Sequence, residues 1–182
     1  MKQRILFLGP PGAGKGTQAE ILASHENLLH LSTGDLLRAE VKAGTSLGQE
    51  AAALMIKGEL VSDDLVLAIV HNNLSHYSGG WLLDGFPRNI VQAESLDSLL
   101  NQLKQPIETA ILLKLEDDLL IERLLSRGRA DDNEIVIRHR LGIYHEQTAP
   151  LIAFYQAKSL LISIDAGGTV DSIAMRISKA LS

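Results

Sequence analysis

The chain has 182 residues, 46% of them hydrophobic and 21% charged, which sets aside disorder and fits one packed domain with small insertions. Its 17 Lys+Arg against 22 Asp+Glu leave a formal charge of −5, which speaks against coating a nucleic-acid backbone or an anionic membrane. The absence of cysteine removes disulfides, iron–sulfur clusters and Cys-ligated zinc, and suits a reducing cytoplasm.

Lys2 and Arg4 precede the apolar run Ile5 to Leu8. The run stops at Gly9-Pro10-Pro11, too soon for a signal peptide or a membrane span. It reads instead as a buried strand entering a glycine-rich turn, with a helix from Gly14 to about Ser24. Leu28 to Leu31 reads as a second strand. From Ser32 to about His76 the pattern is helical, in three pieces parted near Gly44 and near Gly58 to Ser62. Ser62-Asp63-Asp64 is a helix start, with an N-cap candidate and acids in the first turn. Trp81 to Asp84 is a third strand, Ile90 to Leu103 a helix closed by Pro106, and Ala110 to Leu115 a fourth strand. Asp117 to Ser126 is a helix, and Arg127 to Asn133 a polar break. Glu134 to Ala157 is a long helix kinked around Pro150, Leu160 to Ile164 a fifth strand, and Val170 to Leu181 a last helix. Short apolar strands alternating with amphipathic helices predict an α/β fold with a parallel sheet. The block 32–61 and the break at 126–132 fall outside that alternation and are candidates for movable pieces over a site.

Charge is unevenly placed. Four of the 15 glycines lie between Gly9 and Gly16, around Lys15, and five of the nine arginines lie between Arg123 and Arg140. The run from Gly9 to Thr17 fits G-x-x-x-x-G-K between a strand and a helix, with Thr one place later than usual because Gly16 intervenes. Glycines there let backbone N–H groups point at phosphate oxygens, and the helix N-terminus adds positive potential. Lys15 would reach the terminal phosphates and Thr17 would offer a hydroxyl; the alternative is a plain surface turn. Asp84, at the carboxyl end of the third strand, suits a magnesium ion or its waters, although a capping Asp would look the same. Arg38, Arg88, Arg123, Arg127, Arg129 and Arg140 are spread over three places that could converge on Lys15. Each alone could equally pair with Glu122, Asp131, Asp132 or Glu134. Arg123 and Arg127 share a face if their helix extends that far.

Gly-Pro-Pro-Gly-Ala-Gly-Lys-Gly-Thr-Gln (9–18), Leu-Ser-Thr-Gly-Asp-Leu-Leu-Arg (31–38), Leu-Asp-Gly-Phe-Pro-Arg (83–88) with Gln92, and Gly-Arg-Ala-Asp-Asp-Asn (128–133) follow one another in a set order. With Arg138-His-Arg-Leu and Tyr144-His-Glu-Gln-Thr-Ala-Pro-Leu-Ile, the whole chain resembles the adenylate kinases. The resemblance implies a single P-loop domain over 1–182, a three-layer α/β/α fold around a five-stranded parallel sheet. It also implies an inserted helical AMP-binding lobe at 32–61 and a short lid at 126–132. It implies ATP at Gly12, Ala13, Gly14, Lys15, Gly16, Thr17, Arg123, Arg127 and Gly168. It implies AMP at Thr33, Arg38, Glu59, Leu60, Val61, Gly85, Phe86, Pro87, Arg88 and Gln92. Arg129 and Arg140 would clamp the transferring phosphoryl group, and Asp84 would order magnesium-bound water. The short lid, without cysteines, implies Mg²⁺ with ATP and no zinc. A cytoplasmic monomer with ATP and AMP as partners, and neither nucleic acid nor membrane, is the matching expectation.

The residues agree with that chemistry. Transfer between two phosphates needs no strong base, since the acceptor is already an anion. The six histidines form no H-E-x-x-H or triad pattern and read as surface or packing residues. No Asn-Lys-x-Asp motif suggests a GTPase. A kinase for CMP, UMP or GMP is the nearest rival, and Thr33 and Gln92 resemble the adenine-selecting choices.

Overall fold

In a computed structural model the chain is described over residues 2–59 and 61–182, with Leu47 through its backbone only. Five strands form one parallel sheet in the order β2-β3-β1-β4-β5: β1 (Arg4–Leu8), β2 (Leu29–Ser32), β3 (Trp81–Asp84), β4 (Thr109–Lys114) and β5 (Leu161–Asp165). The helices are α1 (Lys15–Glu26), α2 (Thr33–Ala43), α3 (Ser46–Lys57), α4 (Asp63–Leu74), α5 (Ile90–Gln102), α6 (Asp117–Arg127), α7 (Glu134–Ile143), α8 (Pro150–Ala157) and α9 (Val170–Leu181). No described helix is long and apolar enough to cross a membrane.

The strands are near-continuous apolar runs because both faces of the sheet are covered. Successive side chains point to opposite faces, so each strand feeds two cores. Leu6 and Leu8 of β1, Trp81 and Leu83 of β3, and Ala110 and Leu112 of β4 join one core, with Leu37 of α2, Val66 of α4 and Leu96 of α5. Ile5, Phe7, Leu82, Ile111 and Leu113 join the other, with Ala19 of α1, Leu120 and Leu124 of α6, Ile137 of α7 and Ile173 of α9. The chain order reverses beside β1, which lies between β3 and β4, and ligands of such sheets bind at the carboxyl ends of the strands next to the reversal.

Several boundaries differ from the sequence reading, and two of the differences have a clear physical cause. Helix α1 runs on to Glu26 and is stopped by Asn27 in the left-handed conformation (φ 54°), a residue that tolerates this region better than most. The expected helix from 134 to 157 is broken earlier than Pro150, by a π-helical turn over Tyr144–Thr148 between α7 and α8. The ring of a proline crowds the carbonyl four residues back, which here is Glu146, so the backbone widens in the turn before the proline. Pro150 itself opens α8, where its missing N–H costs nothing.

Helices α2 and α3 cross at close quarters because Gly48 has no side chain. A Cβ there would lie 2.1 Å from the carbonyl oxygen of Glu40 and 2.6 Å from the backbone nitrogen of Val41. Neither backbone atom can swing aside, so Gly48→Ala must push the two helices apart. The expected loss is about 1–3 kcal/mol, the range for overpacked sites, read as a lower urea midpoint. An unchanged midpoint would contradict this packing.

Candidate active site

The glycine loop between β1 and α1 is shaped by backbone demands. Gly12 has φ 87°, and a Cβ on it would meet Leu124 of α6 at 2.9 Å, so only glycine fits between loop and helix. Gly14 caps α1 with φ 93°, and no acidic residue occupies the first turn. The opening N–H groups of that helix have no intrahelical acceptors and its positive end stays uncompensated. Lys15 Nζ donates to the carbonyls of Gly9 at 2.9 Å and Pro10 at 3.0 Å, which folds the side chain back over its own loop.

Asp84 ends β3 beside this loop, in register with Phe7 of β1 and Ser32 of β2, and is buried. A Cβ on Gly16 would lie 3.6 Å from its carboxylate Oδ2, so Gly16 brings the start of α1 close to the acid. Arg88 follows on the loop that leaves β3. Its backbone N–H donates to Gln92 Oε1 at 2.7 Å, its carbonyl accepts from Thr148 Oγ1 at 2.6 Å, and its Nε donates to the Gly85 carbonyl at 2.9 Å. Main chain and side chain are thus both fixed, with Nη donors left over.

The other arginines arrive from helix ends. Helix α6 does extend through Arg127, so Arg123 and Arg127 share a face. Arg123 donates to the Ala166 carbonyl at 2.9 Å. Arg127 forks onto Asp132, Nε to Oδ2 at 2.8 Å and Nη2 to Oδ1 at 2.7 Å, and Asp132 Oδ2 also accepts from the Arg129 N–H at 3.0 Å. Arg140 donates to Asp131 at 3.0 Å and to Asp132 at 3.4 Å. Arg38 pairs with Asp35, which lies 4.0 Å from Arg129. The acids the sequence offered as ordinary partners therefore do engage Arg127 and Arg140, yet all six arginines still line one cleft of about 810 Å³ with Lys15.

Ala13, Thr17, Asp84 and Gly168 line that cleft as well, together with the loop glycines 12, 14 and 16. Thr33, Arg38, Glu59, Val61, Gly85, Phe86 and Gln92 line a neighbouring recess of about 60 Å³. Pro87 faces a third hollow that also touches Lys15. Leu60 lies outside the described residues. Arg88 and Arg140 line the cleft and the recess alike, and so stand at the junction of the two.

The electrostatics follow from crowding. Burial pushes the Lys15 ammonium from 10.5 down to about 8, Asp84 opposes the shift, and Arg88, Arg140 and Arg127 add to it. Burial also lowers Arg88, Arg129 and Arg140, each with arginine neighbours pressing the same way. Burial works to raise the Asp132 carboxyl, but the Arg127 guanidinium and the Arg129 N–H outweigh it and hold the group below the usual carboxylate range. The site is a cluster of cations short of counter-charge, which is what a polyphosphate supplies.

Lys15 carries a pH signature. Between about 8 and 10.5 the unfolded chain binds more protons at this residue than the folded one, so unliganded stability rises with pH through that window. A bound polyphosphate favours the charged amine and reverses the shift. Nucleotide binding near pH 8 is therefore expected to take up about half a proton, measured by calorimetry in buffers of different ionisation enthalpy. Lys15→Met should abolish the buffer dependence, and equal uptake by both proteins would refute it.

The adenylate kinase family model matches residues 7–160. The chain belongs to the adenylate kinase family. It is 66% identical to an adenylate kinase of Prochlorococcus marinus (strain MIT 9303) over 181 residues, covering all of both chains. It is 65% identical to an adenylate kinase of Synechococcus sp. (strain WH7803) over 182 residues, again with full coverage of both. The likeness spans the glycine loop, the arginine break and the ends of the fold together, and the five-stranded parallel sheet with helices on both faces is the α/β architecture the motifs implied.

Several contacts had no local signal. Ser62 stands at the N-cap of α4 but makes no side-chain capping bond. Asp63, which reads as a first-turn acid, instead accepts from Gln92 Nε2 at 2.6 Å. Asp35 and Thr148 likewise show their partners only in three dimensions, and an acid three residues before Arg38 was the one clue to the former.

Proposed function

We propose that this chain moves the terminal phosphoryl group of ATP reversibly to AMP, giving two ADP, and so maintains the balance among adenine nucleotides. The observation that carries this is the shared position of Arg88 and Arg140, which line both the glycine-loop cleft and the smaller recess, with Lys15 beside them. The triphosphate of ATP and the phosphate of AMP, approaching from either side, would meet end to end at those cations.

ATP lies along Gly12 to Thr17, with Arg123, Arg127 and the Gly168 backbone around it. AMP lies in the recess bounded by Thr33, Arg38, Glu59, Val61, residues 85–88 and Gln92. Arg88, Arg129 and Arg140 neutralise the oxygens of the group in flight, and Lys15 follows the terminal phosphates. No side chain has to remove a proton, because the AMP phosphate is already an oxyanion.

Magnesium accompanies ATP in this family, and the residues fit it. Asp84 is a buried carboxylate beside Gly16, and Thr17 offers a hydroxyl in the same cleft. Among the described residues no three His, Cys, Asp or Glu side chains cluster as a metal site, and Asp84, through water, with the Thr17 hydroxyl would hold the ion against the nucleotide's phosphates. The chemistry such an ion would supply is neutralisation of phosphate charge. The break at 126–132 has neither Cys nor His, in keeping with a zinc-free lid.

The recess opens into the larger cleft, the two sharing Arg38, Arg88 and Arg140, and in this reading the 32–61 block closes over AMP to shut out water. The 126–132 segment closes over the other nucleotide. A cytoplasmic monomer, free of nucleic acid and membrane, completes the reading. The test is a coupled assay with Mg²⁺-ATP and AMP, CMP, UMP or GMP. AMP is expected to be the preferred acceptor; AMP inert while CMP is turned over, or ATP hydrolysed with no acceptor, would overturn it.

A further inference from the structure

We propose that Asp63 is a positioning residue: it fixes which way round the Gln92 amide faces, and thereby makes the acceptor recess demand a base with an amino group beside a ring-nitrogen acceptor. The inference rests on the AMP reading above and goes one step past it, from where the base binds to what holds its reader.

Gln92 is 2% exposed and lines the recess. Its place is set locally, since Asn89 caps α5 by accepting from the Gln92 backbone N–H at 2.9 Å. The side-chain amide is then held at both ends. Oε1 accepts from the Arg88 N–H at 2.7 Å, and Nε2 donates to Asp63 Oδ1 at 2.6 Å. A backbone N–H can only donate and a carboxylate can only accept, so the partners dictate the orientation of the amide. Turned over, it would set an N–H against the Arg88 N–H and a carbonyl oxygen against the Asp63 carboxylate.

What remains for a ligand is one N–H on Nε2 and one lone pair on Oε1. Adenine matches this with its amino group and an adjacent ring nitrogen. A 6-oxopurine presents the opposite order, an oxo acceptor and a ring N–H, and would leave both pairs mismatched in a recess walled by Leu37, Met55, Val61 and Val66. Cytosine has the same polarity as adenine, so this device rejects it only by size. Asp63 lies 29 positions before Gln92 and opens α4, so an acid there serves a residue on another helix as well as its own first turn.

The experiment measures kcat/KM for AMP, IMP and CMP, and KM for ATP, in the wild type, Asp63→Asn and Asp63→Ala, with melting curves for each. Asn can accept or donate, so it keeps a hydrogen bond while removing the constraint from that end. In both variants the AMP-over-IMP preference is expected to fall at least about fivefold, while the AMP-over-CMP ratio and the KM for ATP stay within twofold. An AMP-over-IMP preference within twofold of wild type in Asp63→Asn overturns the proposal. So does a parallel loss for all three acceptors with a lowered melting point, which marks a merely structural residue. A wild type inactive on AMP would instead overturn the function itself, and that arm is read separately.

Discussion

Arg88→Ala is expected to lower kcat by at least about 10²-fold, the loss typical of removing one preorganised donor from a developing charge. The argument is the rigidity of its setting. The Arg88 N–H is held by Gln92 Oε1, its carbonyl by Thr148 Oγ1, and its Nε by the Gly85 carbonyl, so the remaining guanidinium donors need no reorganisation to receive a phosphoryl group. Truncation at Cβ leaves the two main-chain contacts in place. The fold should survive, and melting curves should differ little. Arg129 is held at its backbone, its N–H donating to Asp132 Oδ2 and its carbonyl accepting from the Asp132 N–H, while its guanidinium lies 4.0 Å from Asp35 and is the freer of the two. Steady-state kinetics with both substrates saturating decide the matter. A loss below threefold for Arg88→Ala would reduce this residue to a surface charge.

Asp132→Ala should be the most damaging change in the 126–132 segment. The Asp132 side chain is fully buried and serves three groups, Arg127, the Arg129 N–H and Arg140. Its removal sets Arg127 and Arg140 against each other and leaves Arg140 its pairing with Asp131. Breaking a buried pair costs about 3–5 kcal/mol, but Arg127 is 31% exposed, so about 1–3 kcal/mol is the expected loss of stability. With the segment no longer folded onto its arginines, kcat should fall about 10- to 10²-fold by the same donor logic. Asp132→Asn keeps the shape and loses the charge, and separates the two effects. A melting point and kcat both unchanged in Asp132→Ala would mean that the arginines are held by something else.

The parts legible in the sequence were those whose physics is local. The unbroken apolar runs Ile5 to Leu8 and Trp81 to Leu83 marked strands covered on both sides, and the glycines around Lys15 marked a loop for anions. Asp84 was legible because it ends an apolar run. The arginines were ambiguous one at a time, and the structure shows both readings at once: Arg127 and Arg140 pair with Asp131 and Asp132, and still line the cleft. What escaped is what depends on distant neighbours. No pattern near Asp63 announces Gln92, nor does any near Thr148 announce the Arg88 carbonyl, 60 positions away. The break before α8 was misplaced because Pro150 acts on the turn that precedes it, while its own position remains helical.

The two cores have a consequence for how such a chain can vary. Leu6 and Phe7 are neighbours in β1, yet Leu6 packs toward α2, α4 and α5 and Phe7 toward α1, α6 and α9. Helices on the first side wall the recess assigned to AMP, and those on the second carry the loop and arginines assigned to ATP. The sheet separates the two cores but not the two walls, since α7, whose Ile137 and Leu141 belong to the second core, carries Arg140 into the recess as well as the cleft. Exchanging every second residue of β1 therefore alters one core and leaves the side chains of the other in place, while both cores bear on the cations the two nucleotides would share.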